Sequence, residues 1–395
     1  MPIKDKIAES PKRVLLRLQR AGFEAYVVGG AVRDLLLNRE PKDYDIATNA
    51  TPEQVRKVFG RRSRIIGRRF KIVHVYADHV VYEVSTFRRQ PDLKERRGRN
   101  EDSGLMVWRD NEYGTLEEDA CRRDFTVNAL YFDPHGKKKD IRDYVDGLSD
   151  VKNKIVRTIG DPAIRMAEDP VRMLRALKLV GQYGFTLDPA LKTAIVDGGE
   201  QITLSSQARM LEELHKILRR PFSLPIFAAC QKYGLLKYVL PTFSSAWDET
   251  PGLQARTLLM ARDEALANDV IFASRISGLG TMILPFVIER FKKRELNGLW
   301  KNFNGVDKII QTVVKEFMGP YLVPRYAVAK IRDILLIQPK LLEARNRKRM
   351  LKHPEYNRAR DLFEVVVRGL GLSESFLEYW PIQQASPRKR GRRNQ

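Results

Sequence analysis

The pattern of hydrophobic residues changes once along the chain, and this change limits the possible folds more than any other feature. Before about residue 155, short apolar segments with strand character alternate with amphipathic segments of helical period. The pattern predicts a helix at 11–21 and strands at 25–28, 43–47, 71–76 and 79–87. Thr51 is expected to cap a further helix, with Pro52 at its first position. Strands interleaved with helices predict one mixed α/β domain.

Helical patterns dominate after this point. Apolar residues recur at helical spacing, as in Val171, Leu174, Leu177 and Val180. The expected fold class is therefore α+β, with an N-terminal mixed-sheet head followed by an all-helical neck and body. At roughly 100–200 residues per domain, the chain divides into a head at 1–155, a neck at 156–245 and a body at 246–395.

The charge of the chain points to a polyanionic partner. Lys and Arg number 71 against 49 Asp and Glu, which leaves a formal net charge of +22. Nucleic acid is the first candidate and an anionic membrane surface is the second. No apolar run approaches the ~18 residues of a membrane span, and the N-terminal residues lack the apolar segment of a secretion signal. Cys121 and Cys230 are too few for a disulfide framework, which is typical of the reducing cytoplasm. Together these observations predict a cytoplasmic protein with no membrane partner.

Two acidic residues, Asp43 and Asp45, occupy one of the expected strands. Side chains at positions i and i+2 of a strand point to the same face, about 7 Å apart along the backbone. Mg²⁺ is the usual cation between such carboxylates, and two metals ~3.5–4 Å apart can activate a hydroxyl and stabilise a leaving pyrophosphate. The alternative is a solvated edge strand, and the pair by itself does not decide between the two.

The residues before this pair favour a site. Gly29 and Gly30 stand where a strand turns into a helix, and glycine lets the backbone approach a triphosphate closely. The start of the new helix attracts an anion, and Arg33 can add a phosphate contact. The alternative is a tight connection with no ligand. The order of Gly-Gly, Arg33 and then the two aspartates favours a nucleotide site.

These segments resemble a known family. The run VGGAVRDLLL followed by KDYDIAT is similar to the head of class II tRNA nucleotidyltransferases and bacterial poly(A) polymerases. RRDFTVN at 122–128 resembles the second motif of that family, and EDPVRMLR at 168–175 resembles its base-selecting motif. The resemblance implies a nucleotidyltransferase head in which Asp43 and Asp45 are catalytic and bind Mg²⁺.

The resemblance also implies roles for residues of the later motifs. Asp124 would join the active site near the metals or the ribose and is the preferred third catalytic carboxylate, and Arg123 would touch the nucleotide. Glu83, on the strand expected at 79–87, is the rival third carboxylate. Asp169 and Arg172 would read the base, and Arg175 would support them or contact phosphate.

The chemistry of the base-reading pair can be argued directly. Asp169 and Arg172 are three residues apart at a helix start, so they project from nearly one side. A carboxylate accepts hydrogen bonds and a guanidinium donates them, which suits the pairing edge of adenine or cytosine. Guanine and uracil have the reverse polarity, and each buried unpaired group costs roughly 1–3 kcal/mol. The alternative is an ordinary helix with internal ion pairs.

Two basic segments favour one activity of the family. IIGRRFKIVHV at 65–75 resembles the signature of bacterial poly(A) polymerases, and Arg68 and Arg69 within it can meet RNA phosphates. KHPEYNRARDLF at 352–363 and the basic tail also resemble the C-termini of these enzymes. The tail, which would bind RNA phosphates without sequence preference, contains Arg388, Lys389, Arg390, Arg392 and Arg393.

The expected function is template-independent addition of AMP from ATP to RNA 3′ ends, which promotes RNA turnover. The expected partners are ATP and RNA 3′ ends, and the protein is expected to act as a monomer. The alternatives are a CCA-adding tRNA nucleotidyltransferase, because both activities use the same head, and a non-catalytic RNA-binding protein. The polar segment at 88–113 has no clear period, and its length predicts a functional loop.

Overall fold

The computed structural model describes most of the chain and separates it into two compact units. The described residues are 3–67, 71–90, 112–136, 141–291, 305–319, 321, 323–344 and 346–382. The first unit is Met1–Leu204 and the second is Ser205–Gln395. The division into three domains stays a prediction.

A seven-stranded sheet forms the centre of the first unit. Its strands are β1 (Ala25–Val28), β2 (Asp45–Thr48), β3 (Ser63–Ile66), β4 (Ile72–Ala77), β5 (Val80–Thr86), β6 (Leu130–Phe132) and β7 (Arg142–Asp143). The strand order is β3-β4-β5-β2-β1-β6-β7. Among these strands β2 and β5 pair in parallel, and the other neighbours pair antiparallel. The mixed sheet is confirmed, and the parallel pair sets Asp45, the first residue of β2, opposite Glu83 in the middle of β5.

Nine helices accompany the strands within the described part of the first unit. They are α1 (Ile3–Lys6), α2 (Glu9–Arg20), α3 (Gly30–Leu36), α4 (Pro52–Phe59), α5 (Leu116–Cys121), α6 (Gly147–Asn153), α7 (Pro162–Glu168), α8 (Val171–Tyr183) and α9 (Pro189–Gly198). The expected start of α4 is confirmed. The Thr51 hydroxyl accepts from the backbone N–H of Gln54, the Gln54 side chain caps Thr51 in return, and Pro52 stands first.

The structure differs from the sequence expectations in three places. Strand β2 begins at Asp45, so Asp43 precedes the strand instead of lying within it. Strand β3 was not expected, because SRII has no clear alternation of apolar and polar residues. Residues after 155 are not wholly helical, because β8 (Ile155–Val156) pairs in parallel with β9 (Thr186–Leu187). Two-residue strands are too short to produce a periodic signal.

The described residues of the second unit form helices and the segments that connect them. Its helices are α10 (Gln207–Leu218), α11 (Ser223–Lys232), α12 (Leu236–Val239), α13 (Pro241–Ser245), α14 (Thr250–Ala267), α15 (Arg275–Arg290), α16 (Val306–Phe317), α17 (Arg325–Leu342), α18 (Arg347–Leu351), α19 (Tyr356–Gly369) and α20 (Ser375–Tyr379). Helices α14, α15, α17 and α19 pack on one another. Leu259, Met282, Ile334 and Leu362, one from each, are fully buried. None of the described helices is long and apolar enough to cross a membrane. The helical second half of the predicted fold class is confirmed.

Candidate active site

Two carboxylates lie side by side where β2 begins, and this end of the strand pair is called the acidic edge. The register pairs Asp45 of β2 with Glu83 of β5, and both residues are exposed. On the other side of β2, Asp45 faces Val28 of β1. Further along this face, Val28 and Ala47 join Tyr131 in a buried apolar cluster beneath α5. The face therefore has an acidic open end and an apolar closed end.

The surroundings of Asp45 disfavour its charged form. Nearby protein removes water from the carboxylate, and Glu83 and Asp43 repel it, so its pKa is raised to about 6 although Arg123 acts in the opposite direction. The residue is still exposed, which places it on a concave surface that a ligand can reach. A carboxylate crowded by like charges is stabilised when a cation binds beside it.

Gly29 lets the backbone pass close to this acidic edge. Its φ of 72° and ψ of −127° at the start of α3 are readily adopted by glycine. A Cβ at this position would lie 3.3 Å from the Asn128 carbonyl oxygen and 3.6 Å from Nη1 of Arg123. Gly30 follows as the first residue of α3. The glycine therefore keeps a gap beside the Arg123 guanidinium, whose charge acts on Asp45.

Asp119 holds Arg123 in place, and the sequence reasoning missed it. Its side chain is almost fully buried and accepts hydrogen bonds from Arg123 Nη2 at 3.0 Å, from the Tyr131 hydroxyl at 2.6 Å and from Arg122 at 2.7 Å. Burial by itself would raise the pKa of Asp119, but the two arginines and Tyr131 have a larger effect in the opposite direction. The pKa is therefore lowered to about 2. The one signal in the sequence was the i, i+4 spacing of Asp119 and Arg123.

Replacing Asp119 with Asn is expected to lower both stability and activity. Removing one partner of a buried ion pair costs about 3–5 kcal/mol of unfolding free energy, because Arg123 keeps its charge. Nucleotide addition should fall roughly 10- to 100-fold in the folded enzyme, as for other supporting residues of active sites. Urea unfolding and steady-state kinetics on the same samples measure the two effects.

A control separates positioning from folding. Asp119→Glu keeps the charge and should recover most of the activity. The pKa of Asp119 is depressed, so its stabilising effect is present above about pH 4 and is lost as the pH falls toward 2. Asp119→Asn should lack this acid-dependent loss. If the activity of Asp119→Asn fell only in proportion to its unfolded fraction, Asp119 would not position Arg123.

Arg33 is directed into the protein. Its side chain is 7% exposed, donates to Asp34 Oδ1 and to the Tyr183 hydroxyl, and stacks 4.3 Å from the centre of the Tyr183 ring. Its Nη1 donates to Asn128 Oδ1 at 2.5 Å. Asn128 in turn donates to Asp124 Oδ1 at 3.2 Å. Arg33 thus braces the Asn128–Asp124 pair, and its expected phosphate contact stays a prediction.

The two rival carboxylates have different neighbours. Glu83 is the direct partner of Asp45 in the sheet. Asp124 Oδ2 instead lies 3.7 Å from Nη1 of Arg175, which belongs to α8. Glu83, rather than Asp124, contributes to the raised pKa of Asp45. Glu83 therefore lies at the acidic edge and Asp124 lies beside Arg175 of α8, and which of the two is catalytic stays a prediction.

The segment at 168–175, which the sequence predicts to select the base, is divided between two helices. Helix α7 ends at Glu168, and Asp169 forms its C-terminal cap before α8 begins. The backbone N–H of Arg172 donates to the Asp169 carbonyl at 3.0 Å, so the two residues lie within one turn, as expected. Nη1 of Arg172 donates to Glu168 Oε2 at 3.3 Å. The internal ion pair considered as an alternative therefore exists, and the reading of the base by Asp169 and Arg172 stays a prediction.

Arg165 ties this segment to the second motif and was also missed. It is 7% exposed, and its Nη2 donates to the carbonyl oxygens of Arg122 and Arg123 at 2.7 and 2.8 Å. Its Nη1 donates to Glu168 at 2.8 Å. The sequence showed only a helical Arg165–Glu168 spacing, which is common on surfaces. These hydrogen bonds attach α7, which precedes the motif at 168–175, to the motif at 122–128, across 43 and 42 positions of sequence.

Several predicted residues lie outside the described part of the chain. They are Arg68, Arg69, Arg388, Lys389, Arg390, Arg392 and Arg393. Residues 91–111 of the expected loop also lie outside it. At the described ends of that segment, Arg88 and Tyr113 pair in an isolated antiparallel bridge. The RNA contacts assigned to these residues stay predictions.

The donors at the acidic edge fit Mg²⁺. Among the described residues, no group of three or more His, Cys, Asp or Glu side chains forms a ready-made metal site. Asp43, Asp45 and Glu83 supply only carboxylates. Mg²⁺ typically uses one or two carboxylates and takes its other oxygens from water and substrate phosphates. The edge is therefore suited to a metal that binds together with a nucleotide.

Three family models match successive parts of the chain and together cover most of it. Residues 25–157 match the Poly A polymerase head domain. Residues 184–246 match the probable RNA and SrmB-binding site of polymerase A, and residues 300–395 match the polymerase A arginine-rich C-terminus.

Curated proteins and solved structures agree with these matches. Poly(A) polymerase I of Haemophilus influenzae is 35% identical over 88% of this chain and 78% of its own length. Poly(A) polymerase I of Escherichia coli is 32% identical over 98% of this chain and 85% of its own. A CCA-adding enzyme of a Geobacillus species is 39% identical over 57% of this chain and 53% of its own. The crystal structure of the Bacillus stearothermophilus CCA-adding enzyme in complex with CTP has a TM-score of 0.65 at 27% identity, covering 94% of this chain and 80% of that one.

Proposed function

The chain belongs to the poly(A) polymerase family of RNA nucleotidyltransferases, and we propose that it adds AMP from ATP to RNA 3′ ends without a template. One observation carries this choice. In sequence, the similarity to poly(A) polymerase I of Escherichia coli extends over 98% of the chain, whereas the similarity to the CCA-adding enzymes of a Geobacillus species and of Lactobacillus helveticus covers 57% and 77% of it. The predicted signature at 65–75 and the basic tail support the same choice.

Asp43 and Asp45 would hold Mg²⁺, with Glu83 next to them as the third carboxylate. When bound, the metal would favour loss of the proton from the RNA 3′-hydroxyl and neutralise charge on the triphosphate. The 3′-oxygen forms a bond to the α-phosphorus, the bond to pyrophosphate breaks, and the hydroxyl proton leaves to solvent. The raised pKa of Asp45 supports this assignment, because Glu83 and Asp43 repel its carboxylate and a bound cation would relieve this repulsion.

The other residues would bind and orient the nucleotide. Arg123 would contact the triphosphate across the gap that Gly29 leaves. Asp124 would lie at the ribose, because its neighbour Arg175 belongs to the base-selecting helix. Asp169 and Arg172 would read the adenine edge. For this, Arg172 would turn part of its guanidinium from Glu168 toward the base, a change within reach of one long side chain.

CCA addition is the second candidate. The Geobacillus CCA-adding enzyme is 39% identical where it matches, and the B. stearothermophilus relative was solved with CTP. An Asp–Arg pair also suits cytosine as well as adenine. The motifs shared by the two groups of enzymes therefore do not separate the two products.

Nucleotide incorporation into RNA tests the proposal. We expect the purified protein with Mg²⁺ to extend a generic RNA with ATP alone, giving long tails, and to use CTP, GTP and UTP poorly. A tRNA that lacks its CCA end is the comparison substrate. Addition that stops after CCA on this tRNA, with no extension of the generic RNA, would replace poly(A) addition by the second candidate. No incorporation into either RNA would leave only a non-catalytic RNA-binding role.

A further inference from the structure

A cavity of about 880 Å³ lies within the second unit, and none of the residues of the proposed chemistry lines it. Helices α10, α15, α17 and α19 contribute its walls. The buried Ile276 and Leu279 are among its lining residues. Its volume is in the upper part of the range of ligand sites, roughly 300–1,000 Å³.

The cavity has an excess of positive charge. Four cations line it, namely Arg219, Arg275, Lys330 and Arg358, against Glu212 and Asp361. Burial raises the pKa of Asp361 to about 7, so this carboxyl is only partly ionised near neutral pH. The cavity is therefore suited to a ligand with more than one negative charge.

The pairing of these cations leaves two of them for a ligand. Lys330 and Arg358 share Glu355, at 3.6 and 2.6 Å. Arg219 and Arg275 form no ion pair within the described residues. Arg275 lies 3.5 Å from Nδ1 of His215, and burial and nearby arginines lower the pKa of that histidine. His215 is therefore neutral at pH 7 and adds no competing charge.

Helix starts strengthen the positive potential. The first turns of α15, α17 and α19, helices of 16, 18 and 14 residues, all line the cavity. Each helix N-terminus carries about half a positive charge. Arg275 stands in the first turn of α15, where a cation is unfavourable unless an anion is nearby. The cations and the helix ends thus favour the same kind of ligand.

Two aromatic residues of the cavity are largely exposed. Phe272 is 60% exposed and Tyr326 is 63% exposed. Aromatic rings beside a basic groove are the usual arrangement for binding single-stranded nucleic acid, because bases stack on the rings while cations contact the phosphates. An acidic peptide would use the cations but would leave the rings without a stacking partner.

We propose that this cavity binds single-stranded RNA upstream of the reacting 3′ end, with bases stacked on Phe272 and Tyr326 and phosphates at Arg219 and Arg275. The proposal rests on the proposed function for the identity of the strand, which is the growing A-rich tail. It extends beyond the segment that matches the RNA-binding family, because Phe272, Arg275 and Tyr326 lie outside residues 184–246.

Direct binding tests the cavity without catalysis. The probe is fluorescent oligo(A) with a 3′-deoxy end, titrated by anisotropy at several salt concentrations without ATP. Phe272→Ser and Tyr326→Ser should each weaken binding roughly 5- to 100-fold, the usual effect of losing one stacked base. Arg219→Gln and Arg275→Gln should each reduce the slope of log affinity against log salt by about 0.7, the loss of one phosphate contact. Binding of ATP should be unchanged in all four.

Matched variants control for general effects. Met260→Ser removes an apolar side chain that is 59% exposed elsewhere in the unit, and Lys308→Gln removes an exposed cation. Both should bind oligo(A) like the parent protein, with equal thermal stability. Unchanged oligo(A) affinity in the four cavity variants would overturn the proposal. Failure of ATP incorporation would instead refute the proposed function, since binding is measured without it.

Discussion

Asp45→Asn is expected to abolish nucleotide addition and, in the metal-free protein, to increase thermal stability at about pH 8. The loss should be on the order of 10³-fold or more, because the metal contributes several kcal/mol to the transition state and each ~1.4 kcal/mol is tenfold in rate. The gain in stability follows from the crowding of Asp45 by Glu83 and Asp43, which the neutral amide removes.

The sign of the stability effect depends on pH. The pKa of Asp45 is about 6 in the folded protein, above its ordinary value of 3.8, so folding favours the protonated form. The free energy of unfolding therefore falls as the pH rises from about 4 through 6. Asp45→Asn should exceed the parent in melting temperature most at about pH 8, and the difference should vanish near pH 4.

Magnesium provides the second readout for this variant. Mg²⁺ should raise the melting temperature of the parent at about pH 8, because it binds the folded carboxylates, and should do so much less in Asp45→Asn. Asp197→Asn removes an exposed carboxylate on α9 and serves as the matched control, with parental activity and metal response. An Asp45→Asn protein that still extended RNA, or that was stabilised equally by Mg²⁺, would contradict the metal assignment.

Asp169→Ala is expected to reduce selectivity for ATP over GTP by roughly 10- to 100-fold. The carboxylate would accept from the adenine amino group, whereas the guanine carbonyl at the same position would repel it. Removing the carboxylate loses the hydrogen bond to adenine and relieves the repulsion of guanine. Each buried polar group left without a partner costs about 1–3 kcal/mol. The ratio of kcat/KM for the two nucleotides measures the effect.

A double-mutant cycle with Arg172→Ala tests whether the two residues act on one base. Their effects on selectivity should be less than additive, since either loss already destroys the paired donor and acceptor. Arg172→Ala also removes a partner of Glu168, so its stability is measured separately. If Asp169→Ala lowered kcat/KM equally for all four nucleotides, the residue would support the fold instead of reading the base.

Short-range features of this chain were predictable because adjacent residues determine them. The Thr51-Pro52 helix start and strand β1 are where the sequence placed them. The change from mixed to helical structure near 155 was also predictable, because hydrophobic period reflects which face of an element is buried. The placement of β2 was two residues early, since KDYDIAT contains no residue that marks where pairing begins.

Longer-range relations were accessible only through family resemblance or through the structure. The Asp169–Arg172 pair could be proposed because its motif is contiguous. The role of Asp119 could not, because it depends on Tyr131 of β6 reaching back to α5. Arg33 had an obvious role as a phosphate ligand in the sequence, yet packing against Tyr183, 150 residues away, directs it inward.

The sequence by itself determined that Asp43 and Asp45 are close together, and that a glycine turn precedes them, because two residues of spacing cannot separate them far. It did not determine which distant residue lies next to them in the sheet. Only the tertiary structure decided that, since the parallel pairing of β2 with β5 sets Glu83 beside Asp45 across 38 positions of sequence. The pairing depends on the register of the whole sheet, which many distant apolar contacts fix together and which no local motif encodes.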